Sequence, residues 1–127
     1  MSGVGSSNLV RRRLIHATSY SFSGLRACFR SEEAFRVEVA LAVIMVPTAF
    51  WLGHSIVERL LLVLVVVLVL LVELLNTAIE KAIDHISLDY HPLAKQAKDM
   101  GSAAVLVSML LCGGTWIALI WQNLVTG

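Results

Sequence analysis

The sequence predicts an all-α membrane protein, with three transmembrane helices preceded by an amphipathic helix at the membrane surface. Three observations predict it: apolar runs far longer than strands, too few charges for a soluble domain, and Lys and Arg gathered at one set of span ends. Of 127 residues, 57% are hydrophobic and 15% charged, against about 45–50% and about 25% in an ordinary soluble domain. Mean hydropathy is +0.80. The length leaves room for a single domain, and a net charge of +1 gives no electrostatic case for nucleic acid as a partner. Cys28 and Cys112 have neither metal-site spacing nor the pattern of a disulfide framework.

In chain order, residues 1–7 are a Gly/Ser stretch expected to be disordered, and 8–127 form the domain. No cleavable signal peptide is expected, because no apolar stretch follows the basic segment until after Glu38. Over 8–30, Leu9, Val10, Leu14, Ile15, Tyr20, Phe22, Leu25 and Phe29 alternate with arginines and small polar residues. That pattern suits one or two surface helices, apolar side down and arginines toward anionic headgroups, with a break near Gly24. Val39 to Val57 is free of Asp, Glu, Lys and Arg, Leu60 to Val72 is unbroken Leu and Val, and no charge follows Met100. A crossing needs about 20 apolar residues, so spans are predicted at 35–53, 57–84 and 98–122. Arg11, Arg12, Arg13, Arg26, Arg30 and Arg36 precede the first span, and Lys81, Lys95 and Lys98 lie around the 84–97 loop. The positive-inside rule then makes the N-terminus and that loop cytoplasmic and the C-terminus external. Trp51, Trp116 and Trp121 fall toward the outer ends, where indole rings favour the interface.

Ionisable groups at the centre of a transmembrane helix cost about 2.5–3.5 kcal/mol each. The second span nevertheless carries Glu73, Asn76, Glu80 and Asp84. At about 100° per residue these fall within an arc of roughly 80°. So narrow a stripe on a Leu/Val helix must face protein, and self-association is the expected way to cover it. Interhelical hydrogen bonding alone is one reading of such a stripe, and an ion or proton path through a non-enzymatic membrane subunit is another. Glu32, Glu33, Arg36 and Glu38 before the first span, with Lys98 and Asp99 at the start of the third, stand at the same cytoplasmic level. Glu32 and Arg36 have the i, i+4 spacing of a solvated ion pair. Carboxylates there suit Mg²⁺, which binds through one or two acidic groups plus substrate phosphates, and a deeper carboxylate suits proton transfer. The chain has no GxxxxGK[ST] phosphate loop and no kinase-type Gly-rich loop.

The run Glu73-Leu-Leu-Asn76-Thr-Ala-Ile-Glu80, with Asp84 and then Ala97-Lys98-Asp99-Met100-Gly-Ser102-Ala-Ala, closely resembles the bacterial integral membrane diacylglycerol kinase family. Tyr20-Ser-Phe-Ser-Gly24-Leu-Arg26 and Glu32-Glu-Ala-Phe35-Arg36-Val-Glu38 resemble its N-terminal signatures, so the likeness runs from about Arg13 to Trp121. It implies a homotrimer in the bacterial inner membrane that uses ATP and Mg²⁺ to phosphorylate diacylglycerol to phosphatidic acid. By resemblance Glu73 is the general base, Asn76 orients it, and Glu32 and Glu80 hold the metal. Arg13, Tyr20, Asp89, Tyr90, His91, Lys98 and Asp99 join those two glutamates in binding ATP. Arg26, Phe35, Glu38, Ser102 and Trp116, with Arg13, Tyr20 and Glu73, line the lipid site. The His91-Pro-Leu-Ala-Lys95 run looks more like the undecaprenol kinases of the same family, while Met100-Gly-Ser-Ala-Ala and the Tyr20–Arg26 run favour the diacylglycerol branch. Diacylglycerol is the expected acceptor and undecaprenol the alternative.

Overall fold

The computed structural model describes residues 2–87 and 89–126. Four helices follow one another: α1 (Ser2–Ser31), α2 (Glu33–Leu52), α3 (Ile56–Ile86) and α4 (Pro92–Thr126). The last three are long and apolar enough to cross a membrane; α3 and α4 extend past both ends of the spans expected for them, while α2 starts two residues earlier than expected and ends one residue short. Hydropathy marks only the length immersed in hydrocarbon, whereas backbone hydrogen bonding continues into the wet interface. Their outer surfaces carry Val43, Phe50, Leu64, Leu110 and Ile117, all exposed. Water would not tolerate that much contiguous apolar surface. The chain is a multi-pass membrane protein.

Local chemistry explains where the helices stop. After α2 the backbone is extended at Gly53, and Arg59 Nε donates to the Gly53 carbonyl at 3.2 Å. Ser55 and Glu58 then cap the start of α3 in a variant of the capping box, in which the carboxylate reaches one residue further back. The Ser55 hydroxyl accepts from the Glu58 N–H at 3.1 Å, and the Glu58 carboxylate accepts from the His54 N–H at 2.9 Å. At the other end, α4 begins on Pro92, whose missing N–H costs nothing in a first turn. His91 Nδ1 accepts from the Leu93 N–H at 3.1 Å, so this histidine caps α4.

The core lies where α2, α3 and α4 meet, around Ala42, Ala49, Leu62, Val66 and Trp116. Ala42 and Ala49, two turns apart, let the backbones approach closely, as small residues do in membranes. Trp116 is 8% exposed and its indole N–H donates to the Leu62 carbonyl at 3.1 Å. It is a core residue and not the interfacial anchor its sequence position suggested, whereas Trp51 and Trp121 do face outward. Asn123 Nδ2 donates to the Leu52 carbonyl at 3.2 Å and ties α4 to the end of α2.

The N-terminal segment differs from expectation in two ways. Helix begins at Ser2 instead of following a disordered stretch over 1–7, and α1 runs through Gly24 without a break. Isolated glycines weaken a helix by only about 1 kcal/mol, and nothing lies against Gly24 to force a bend. Only the last turns of α1 dock. Cys28 is 3% exposed and its Sγ lies 3.7 Å from Thr77 Oγ1 on α3. Burial pushes the Cys28 thiol up, reinforced by the Glu32 and Glu73 charges and opposed by the Thr77 hydrogen bond and Lys81. Arg36 does not pair with Glu32. Its Nη1 donates to the carbonyls of Phe29 and Arg30, at 2.8 and 3.0 Å, and so satisfies the end of α1.

Candidate active site

The buried residues of α3 are Leu62, Val66, Val69, Glu73 and Thr77, at intervals of three and four. Glu73 therefore occupies the same packing seam as the core leucine and valines. Period alone carries the polar stripe into the protein. Glu73 is 6% exposed, Asn76 and Glu80 are half-buried, and Asp84 is exposed. The docked end of α1 helps cover the seam through Cys28 and Thr77. A single chain thus buries Glu73, and a second copy is not required for that.

Glu32 precedes the first turn of α2 with extended backbone and makes no capping hydrogen bond with its side chain. Its carboxylate and that of Glu80 are the charges that act on Glu73, and Glu73 in turn acts on Glu38. Four carboxylates from α2, α3 and the turn before α2 thus share one region. Both Glu38 oxygens are buried without a hydrogen-bond partner. Glu38 also lines an apolar cavity of about 210 Å³ between α2, α3 and α4, with Met45, Val69, Leu70 and Met109. Phe35, 3% exposed, packs one turn before Glu38.

Asn76 reaches along its own helix, Nδ2 donating to Glu80 Oε1 at 3.4 Å, while its Oδ1 is buried without a hydrogen-bond partner. On α4 the buried Gly101 lies directly against this amide. Around the α3–α4 connection, Asp84, Asp89, Tyr90, His91, Lys98 and Asp99 line one cavity of about 430 Å³. Lys98 Nζ is 2.7 Å from Asp84 Oδ1, and Lys95 Nζ is 2.7 Å from Asp99 Oδ2, both pairs well exposed. Exposed pairs contribute about 0–1 kcal/mol, so each lysine is cheaply released to another anion.

Of the residues singled out from sequence, Glu32, Glu38, Glu73, Asn76 and Glu80 come together. Asp89, Tyr90, His91, Lys98 and Asp99 share the neighbouring cavity. Arg13, Tyr20 and Arg26 lie exposed on α1, where Tyr20 stacks on His16 with ring centres 6.2 Å apart, and Ser102 is exposed on α4. Trp116 is not brought to the carboxylates, since Leu62, to which it bonds, lies about 16 Å along α3 from Glu73. Asp84 was picked from sequence as part of the stripe but not as the partner of Lys98, and Gly101 was not picked as the support of Asn76. A glycine two residues after Lys98-Asp99 in mid-helix was the available signal for the second.

Among the described residues, no group of three or more His, Cys, Asp or Glu side chains is arranged to hold a metal ion. Glu32 and Glu80, two separate carboxylates within electrostatic reach of Glu73, are oxygen donors of the type that hard divalent cations bind alongside phosphate oxygens and water.

Three spans with a stack of carboxylates at one end, next to a lysine-bearing cavity, define a polytopic membrane protein equipped to handle anionic and hydroxylic groups together. The chain belongs to the prokaryotic diacylglycerol kinase family, whose description matches residues 19–120. It is 49% identical over 109 residues to a diacylglycerol kinase of Pseudomonas aeruginosa, covering 86% of this chain and 89% of that one. Against the diacylglycerol kinase of Escherichia coli (strain K12) it is 45% identical over 111 residues, covering 87% and 91%. A Haemophilus influenzae diacylglycerol kinase is 43% identical over 103 residues, covering 81% and 87%.

Proposed function

We propose that this protein transfers the γ-phosphoryl group of ATP to the free hydroxyl of diacylglycerol, yielding phosphatidic acid and ADP. The observation that carries the reading is Glu73. It is buried at lipid depth on α3, with Glu32 and Glu80 in electrostatic reach and the Lys98 cavity on the same side, in a chain of this family. In the reaction the lipid oxygen bonds to the γ-phosphorus as the bond from that phosphorus to the β–γ bridging oxygen breaks. The hydroxyl proton passes to the Glu73 carboxylate. Phosphoryl transfer asks for positioning, charge neutralisation and a group that accepts the proton.

The residues divide accordingly. Asn76 holds Glu80 and orients the site around Glu73. Glu32 and Glu80 would hold Mg²⁺, which when bound offsets the charge of the phosphate oxygens. Lys98 exchanges Asp84 for phosphate, and Asp89, Tyr90, His91 and Asp99 line the nucleotide cavity. Glu38, lining the apolar cavity, and the buried Phe35 one turn before it would serve the lipid site. Arg13, Tyr20, Arg26 and Ser102, exposed in the single chain, take their places in nucleotide and lipid binding once copies assemble as a homotrimer. The broad apolar surfaces of α2 to α4 support such assembly. The distribution of Lys and Arg supports an orientation with the N-terminus and the 84–97 loop cytoplasmic, and membership of the prokaryotic family supports a position in the bacterial inner membrane.

The undecaprenol reading rests on the His91-Pro-Leu-Ala-Lys95 run, and the capping of α4 by His91 accounts for that histidine without any lipid. Side-by-side kcat/KM for the two lipids in mixed micelles tests the choice. A higher value for diacylglycerol is expected, and a higher value for undecaprenol would reverse the assignment.

A further inference from the structure

We infer that Gly101 is a positioning residue for the reaction, keeping the Asn76 amide in the orientation that braces Glu80. This rests on the reading above, in which Asn76 and Glu80 belong to the active site. A Cβ built on Gly101 would overlap Asn76 Oδ1 and stand 3.2 Å from its Cγ, with no other group near enough to matter. The amide is pinned from two sides: Nδ2 points along α3 to Glu80 Oε1, and the oxygen points across to the bare Cα of Gly101. Exchanging the amide nitrogen and oxygen would set an oxygen against the Glu80 carboxylate, so this is the orientation the chemistry permits. Helix propensity favours alanine over glycine here, yet the buried interior of α4 keeps a glycine against the one polar amide of the stripe. The group a Cβ displaces is the end of a rotatable side chain and not backbone. The fold therefore survives the substitution and the geometry of Asn76 does not.

The test is a cycle of Gly101→Ala, Asn76→Ala and the double variant in the full chain. Transfer is measured in mixed micelles with Mg-ATP and diacylglycerol, and thermal unfolding on the same samples. For Gly101→Ala, kcat is expected to fall by about tenfold to a hundredfold, as for a displaced positioning group. The Mg²⁺ concentration giving half-maximal rate should rise, with KM for diacylglycerol and the melting temperature close to the parent's. In the Asn76→Ala background the added methyl finds room, so Gly101→Ala should raise the melting temperature there and lower the rate no further. Parent-like kinetics for Gly101→Ala beside an impaired Asn76→Ala would overturn the role of Gly101 and leave that of Asn76 standing. Equal shifts in melting temperature in the two backgrounds would overturn it too, because the methyl would then not be meeting Asn76. An unimpaired Asn76→Ala would instead remove Asn76 from the site.

Discussion

Replacing Glu73 by glutamine keeps the shape of the side chain and removes its charge and its ability to take a proton. Loss of a general base costs about 10²- to 10⁴-fold in rate, equivalent to about 2.7–5.4 kcal/mol of barrier at about 1.36 kcal/mol per factor of ten. The effect on stability has the opposite sign. Glu73 is 6% exposed and bears the charges of Glu32 and Glu80. An ionised group at a span centre costs about 2.5–3.5 kcal/mol, and less toward the interface, where Glu73 lies about three turns from Asp84; about 1–2 kcal/mol is the share recovered on neutralisation. Glu73→Gln should therefore melt higher than the parent while turning over at least a hundredfold more slowly. The assay is initial-rate transfer at saturating Mg-ATP and diacylglycerol, paired with thermal unfolding of the same preparation. Turnover within about threefold of the parent would fall far short of what a general base supplies and take Glu73 out of the chemistry. Loss of rate together with a lower melting temperature would make it a packing residue.

Three other perturbations separate core, proposed nucleotide cavity and docking contact. Trp116→Phe removes the indole donor but leaves the Leu62 carbonyl its helical partner, so unfolding should become easier by about 0.5–1.5 kcal/mol; an altered KM for diacylglycerol with unchanged stability would place Trp116 at the lipid instead. Lys98→Met loses a charge-assisted contact of about 1.5–3 kcal/mol and should raise KM for ATP by about tenfold to a hundredfold, with melting nearly unchanged because the Asp84 pair is exposed. In a Cys112→Ser background, Cys28 should resist a water-soluble maleimide until the protein unfolds, since burial pushes its thiol up; labelling at the rate of a free thiol would show that α1 does not dock as described.

The three spans and the acidic stripe were legible because both follow from one-dimensional signals. Run length reports the hydrocarbon thickness, and a step of about 100° per residue puts Glu73, Asn76 and Glu80 on one face whatever lies opposite. What lies opposite was not legible. Self-association was expected to cover Glu73, but the seam already closes within one chain, helped by the Cys28–Thr77 contact between residues 49 apart in sequence. The inward rotation of Trp116 depends on α2 offering Ala42 and Ala49 at the crossing, which no pattern within α4 encodes. Arg36 caps α1 in preference to pairing with Glu32 because one guanidinium nitrogen satisfies two orphan carbonyls at the helix end at once. Gly101 shows the same limit: a small residue is visible in sequence, while the amide filling the space beside it is not.

The most direct measurement is the fate of labelled γ-phosphate when the purified protein is mixed with ATP, Mg²⁺ and diacylglycerol in mixed micelles. The predicted result is label in phosphatidic acid, dependent on protein, diacylglycerol and Mg²⁺ alike, and nearly lost in Glu73→Gln. Absence of label from the lipid, together with pH-driven ion flux in liposomes without ATP, would contradict it and give the buried stripe to transport.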